Sequence, residues 1–237
     1  MSDDNQNIIR YSEDEYKEFE LAIGQDSIND ITDHIERYVG KIDMVYHEII
    51  SDKVHIDIHV VNPTKAKPYY TLVTSGMSNK PMNTRGDDAN PYMELCISLP
   101  SDWKLNHTDF EDENNYWPVR LIKHLARFPH DWNSYFAFGH SIPNSDPPES
   151  YAESTELSSV ILLQPILTDE NFQILKISEK KHIYFYALVP LYETELNRKL
   201  TKGTESLLSG FDKYKVTELL DISRTDTTKR KKLFGLF

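Results

Sequence analysis

From Tyr69 the chain reads Tyr-Tyr-Thr-Leu-Val-Thr-Ser-Gly-Met-Ser-Asn-Lys-Pro-Met, and from Tyr92 it reads Tyr-Met-Glu-Leu-Cys-Ile-Ser-Leu-Pro. Tyr69 to Thr74 is rich in aromatic and β-branched residues, which suit a pleated, half-buried surface, and it stops at Ser-Gly, the chemistry of a strand end. Gly76 can take a positive φ or let another backbone approach closely. Tyr92–Leu99 is a second strand. Upstream, Lys41–Ile50 and Val54–Asn62 predict a hairpin joined at Ser51 to Lys53. In its second arm Val54, Ile56, Ile58 and Val60 alternate with His55, Asp57 and His59, which predicts one apolar and one hydrated face. The four strands together predict an antiparallel meander.

Helices are expected on either side. Ser27-Ile-Asn-Asp30 has capping-box spacing, Ile28, Ile31, Ile35, Tyr38 and Val39 recur at helical intervals, and Gly40 supplies a stop. Asp33, Glu36 and Arg37 should face water. Asn79–Pro91 and Asn106–Asn115 are rich in turn formers and acids and predict solvated connections. Pro118 suits a first helical turn, Leu121, Ile122, Leu125 and Phe128 make a buried stripe, and Pro129 should end that helix. Ser158–Leu167 and His182–Leu191 read as buried strands, Glu193–Lys202 and Glu205–Phe211 as helices, and Val216–Ile222 as a last strand. The fold class is therefore α+β: a single domain whose mixed, largely antiparallel sheet is flanked by helices. Its expected organisation is an acidic segment over 1–26, the domain over 27–222, and a mobile basic and apolar tail over 223–237.

Several of these pieces also resemble a known family. The Tyr69–Met82 and Tyr92–Pro100 blocks, the helix Tyr116-Trp-Pro-Val-Arg-Leu-Ile-Lys-His-Leu-Ala-Arg-Phe128, the segment Phe136-Ala-Phe-Gly-His140, and the stretches Val160–Pro165 and Phe185–Asn197 are similar, in order, to the Suppressor of fused domain family. The likeness spans roughly residues 40 to 222. Animal members carry a second lobe, and this chain resembles a bacterial single-domain member. The resemblance implies immunity to a polymorphic toxin: a protein that binds and neutralises a toxin domain, often a nuclease. It also implies a peptide groove at Phe128 and His140. There the family pattern has a tyrosine and an acidic residue, so this groove lacks a hydroxyl and a charge.

Charge agrees with a protein partner. The net charge is −12, and residues 1–36 hold eleven Asp or Glu against Arg10 and Lys17, a local balance of −9. Such a chain does not attract phosphate backbones through its bulk field, so no direct nucleic-acid contact is expected. It suits a basic partner. The 39% hydrophobic content can fill a core, while no apolar run is long enough to cross a bilayer and the polar start is no signal peptide. The sequence predicts a cytoplasmic protein without membrane contact.

Catalytic signatures do not emerge. Ser75-Gly-Met-Ser78 lacks the glycines of a nucleophile elbow, and Lys202-Gly-Thr204 lacks those of a phosphate loop. Cys96 stands between Leu95 and Ile97, where an inert buried thiol is expected. His55, Asp57 and His59 project from one strand face, yet i and i+4 lie about 13 Å apart, too far for one metal ion to bridge. The expectation is no enzyme, no metal and no cofactor. The candidate partner-binding residues are aromatic and acidic: Phe128, Trp132, Phe136 and His140, with Asp109, Glu111, Asp112 and Glu113. Aromatics anchor interfaces at low entropic cost, though they also anchor cores. The runner-up function is a regulator that captures an extended peptide by adding a strand to its sheet.

Overall fold

The computed structural model describes residues 27–47, 53–86 and 88–229. The expected hairpin turn at Ser51 and Asp52, the acidic segment 1–26 and residues 230–237 lie outside these. Strands β1 (Ile42–Tyr46), β2 (Asp57–Val61), β3 (Tyr69–Ser75) and β4 (Met93–Pro100) form the expected antiparallel meander. β4 then pairs in parallel with β8 (His182–Tyr192), which continues antiparallel to β6 (Leu157–Leu163). β6 carries the edge strand β5 (Ser141–Pro143), and β7 (Ile174–Lys176) pairs with the start of β8. The sheet is mixed and mostly antiparallel, as expected for an α+β domain.

Helices cover both of its faces. On one, Ile56, Ile58, Leu72, Leu95 and Ile97 meet Trp117, Leu121, Ile122 and Leu125 of α2 (Glu113–Asp131). On the other, Val61, Val73 and Cys96 meet Ile31 and Ile35 of α1 (Ile28–Tyr38), and Ile161, Val189 and Leu191 meet α3 (Glu193–Lys202) and α4 (Thr204–Tyr214). Each large side chain so buried contributes about 1.5–3 kcal/mol of transfer free energy. This double covering corrects one expectation. Asp57 and His59 alternate onto the same side as Val61 and are only 2% and 3% exposed, so that face is covered rather than hydrated.

The Ser-Gly turn and the following strand prove to be one unit. Glu94, fully buried, turns back under the turn that ends β3. Its Oε1 accepts from the Gly76 amide (3.0 Å), the Ser78 amide (2.9 Å) and the Ser78 hydroxyl (2.6 Å), and its Oε2 accepts from Thr74 (2.6 Å). Burial pushes its carboxyl above the usual range, with these donors pulling the other way. Gly76 sits at φ 106°, and a Cβ there would lie 1.8 Å from the His55 carbonyl oxygen. No other residue fits.

Several local expectations differ from the structure. Ser27 makes no capping bond at α1; its hydroxyl accepts from Lys181 Nζ (2.8 Å) instead. α2 starts before Pro118, with the Asp112 side chain accepting from the Asn114 amide (2.9 Å), and it runs two residues past Pro129. An interior proline costs about 3 kcal/mol, and the buried stripe from Trp117 to Leu125 outweighs it. Val216–Ile222 is no strand; it makes a single bridge between Leu219 and Ser98. Finally, Ser223–Lys229, read as part of the tail, packs against α3. Glu195, buried at the start of α3, accepts from Arg224 Nη1 (2.7 Å), the Thr227 amide (2.9 Å) and the Thr227 hydroxyl (2.8 Å), while Arg224 Nη2 reaches the Pro190 carbonyl (2.8 Å).

Candidate protein-binding site

At the C-terminal end of α2 the chain leaves the helix through Trp132 and reverses at Asn133, which takes φ 47°. Asn tolerates that left-handed geometry better than most residues. The Ser134 amide closes the turn on the Pro129 carbonyl (2.8 Å). The reversal brings Phe136 under Phe128, with ring centroids 5.6 Å apart and planes at 13°. Trp132 packs at 6.2 Å against the same Phe128, and Tyr135 lies 5.4 Å from His140. Phe136 is buried in the main core; Phe128, Trp132 and His140 are half-buried, and Phe138 is 47% exposed. Of the four candidates Phe128, Trp132, Phe136 and His140, three therefore reach the surface and Phe136 supports them from below.

His140 leads directly into β5. Its carbonyl accepts from the Leu162 amide (2.9 Å), and further along the Asn144 amide donates to the Ser158 carbonyl (2.9 Å). Because hydrogen-bonded pairs alternate along an antiparallel ladder, Ile142 pairs inward to Val160, and Ser141 and Pro143 turn their backbone groups outward. β5 ends the strand order, so this outer edge has no neighbouring strand among the described residues. It offers the Ser141 amide and the Ser141 and Pro143 carbonyls. Pro143 contributes no donor, which shortens the usable edge. Sequence reasoning missed β5, whose three residues carry no periodic signal.

Burial dominates the titration of the histidines at this end. Burial lowers the His140 pKa and the Lys199 charge lowers it further, against a hydrogen bond to the Tyr135 backbone, so the imidazole is uncharged at neutral pH. Burial likewise drives His130 down to about 4, aided by Lys80 and Lys53 and opposed by its hydrogen bond to the Met77 carbonyl.

The predicted acids lie elsewhere. Asp109 Oδ2 accepts from the Asn106 amide (3.2 Å) inside a short 3₁₀ turn, Asp112 caps α2, and Glu113 pairs with Arg120 at 2.6 Å. Glu111, Asp112 and Glu113 are exposed. Nineteen helical residues put this group about 27 Å from the aromatic end. The two halves of the predicted site do not converge.

Asp57 is flanked by two histidines: His55 Nε2 lies 3.1 Å from Oδ1, and His47 Nδ1 lies 3.1 Å from Oδ2. Among the described residues no His, Cys, Asp and Glu group is arranged to hold a metal ion, and no helix is long and apolar enough to cross a membrane. Cys96 is buried, and burial pushes its thiol well above the usual range.

Comparison with known proteins matches the family model of Suppressor of fused protein (SUFU) to residues 52–225. A putative SUFU homolog from Neisseria gonorrhoeae shares the fold at 17% identity, covering 87% of this chain and 100% of its own, with a TM-score of 0.64. A chain of the Sufu–Fu complex matches at 14% identity over 88% of this chain and 93% of its own, with a TM-score of 0.58. No curated protein matches in sequence.

Proposed function

The chain belongs to the Suppressor of fused family, and from that premise we propose that it is a non-enzymatic binding protein that docks a protein partner at the aromatic end of α2 and the open edge of β5. The observation that carries this reading is the placement of half-buried Phe128 and Trp132 and exposed Phe138 beside an unpaired strand edge. Aromatic area supplies affinity, and backbone donors and acceptors supply direction. The buried carboxylates Glu94 and Glu195 are saturated with internal donors, which suits a structural rather than a catalytic role.

The partner we propose is a basic bacterial toxin domain, of nuclease type, and the role is immunity. The family resemblance and the net charge of −12 support it. Blocking a basic cleft needs shape and negative charge and no reacting group. Coexpression with the toxin encoded beside this chain should restore growth; failure against every neighbouring toxin would sink the immunity role.

The open β5 edge favours a second reading, capture of one extended segment by strand addition. Isolated strand peptides from the partner that bind in the micromolar range would support it. A requirement for the intact folded partner would return the choice to surface occlusion.

A further inference from the structure

Two large hydrophobic side chains that the fold leaves exposed are joined by a pair of tyrosines. Phe138 is 47% exposed and Ile174 40%. Ile174 pairs with Tyr184 across the β7–β8 ladder, so the two share one face of the sheet. Tyr186 follows on that face two residues along, its ring 6.5 Å from that of Tyr184 and its phenol against the Phe138 backbone. Both tyrosines are half-buried. α2 covers this side of the sheet over β3 and β4, while Ile174 and Tyr184 join none of the core layers among the described residues.

The rim of this patch is basic. Lys176 faces His182 across the same ladder, and the turn between them carries Lys180 and Lys181 against Glu179. Lys181 Nζ also holds the Ser27 hydroxyl at 2.8 Å, so the chain enters α1 beside this hairpin. Residues 1–26 therefore join the fold at the rim of the patch. They hold eight Asp or Glu against Arg10 and Lys17, interleaved with Tyr11, Tyr16, Phe19 and Ile23. Crossing from that rim to the face of Tyr184 takes about 10 Å, three or four extended residues. A basic ligand would be repelled by Lys176 and Lys180, and a purely apolar one would leave them uncompensated. An acidic, aromatic segment answers the charge and the apolar area together.

We propose that this patch is the docking surface of the chain's own acidic segment, residues 1–26, with its aromatic side chains on Ile174, Tyr184 and Tyr186 and its carboxylates over Lys176 and Lys180. The docking goes beyond the partner-binding reading and stands without it. It brings acid to the aromatic end of the molecule, which Glu111, Asp112 and Glu113 at the far end of α2 do not reach.

The test uses full-length ¹⁵N-labelled protein carrying a nitroxide on Ser12→Cys, the buried Cys96 staying unmodified. The nitroxide should broaden the amide signals of Ile174, Tyr184, Tyr186 and Phe138 relative to its reduced, diamagnetic form. Salt at 1 M, where the screening length is about 3 Å, should restore much of the lost intensity. Ile174→Glu and, separately, Lys176→Glu sit at exposed positions that spare the fold, and each should restore it at low salt. Unbroadened signals would overturn the docking. So would equal broadening in wild type and both variants, which is the mark of tethering at Ser27 alone. Broadening of nitroxide-free ¹⁵N protein by nitroxide-bearing ¹⁴N protein would assign the patch to a second copy instead. Loss of toxin rescue with the broadening intact would overturn the immunity role and leave the docking standing.

Discussion

The two ends of α2 divide stability and charge between them. At the N-terminal end, Glu111, Asp112 and Glu113 are exposed and their bonds are local: a cap and one ion pair with Arg120. At the C-terminal end, Phe136 is core, Phe128 and Trp132 are half-buried, and Phe138 is exposed, all within eleven residues. A surface of the first kind can be altered with little effect on the fold. One of the second kind is held up by the core beneath it, so the proposed recognition would draw on side chains that folding also needs.

Truncating Phe136 to Ala should produce the largest effect. Loss of a buried Phe costs about 3–5 kcal/mol, which lowers the melting temperature of a domain this size by on the order of 10 °C. A wild-type thermal melt would break the contrast. Next comes acidity. His130 titrates at about 4 in the fold against 6.5 ordinarily. The unfolded chain thus binds the extra proton, and stability present above pH 6.5 is lost as pH falls toward 4, by on the order of 2–3 kcal/mol. Urea unfolding across that window should show the decline, and His130→Gln should flatten it. At the other end, Asp112→Ala should cost only about 1 kcal/mol, the value of one helix cap, read as a shift in urea midpoint.

The smallest stability changes should carry the sharpest functional split. Glu111→Gln with Glu113→Gln, and separately Phe138→Ala, should each alter stability by under about 0.5 kcal/mol. If the proposed toxin is the partner, stopped-flow binding to it should then show slower, less salt-dependent association for the acid pair and faster dissociation for Phe138→Ala. An acid pair that associates at the wild-type rate in low salt would remove that end of α2 from the encounter surface.

Much of this architecture was legible because it is locally encoded. α1, α3 and β2 to β4 follow their own periodicities, and the bounds of α3 came out as read. Legibility ended where distant partners decide. β5 and β7 are three residues each and exist because β6 and β8 offer open ladders. Pro118 and Pro129 looked like punctuation because the packing that overrides them belongs to the sheet. Glu94 showed nothing of its burial, since its donors lie 16 to 20 residues upstream. For the binding surface, residue types pointed to aromatics and acids, but whether they meet depended on the length of one helix.

The clasp on Glu195 also makes one layer of the fold conditional on a distant segment. Glu195 lies 29 residues before Arg224 in sequence. Without that guanidinium, α3 would seal in a carboxylate that has no counter-charge, a penalty of about 3–5 kcal/mol. Loss of Arg224 alone should therefore loosen α3 from the sheet while the meander on the far side keeps its own core.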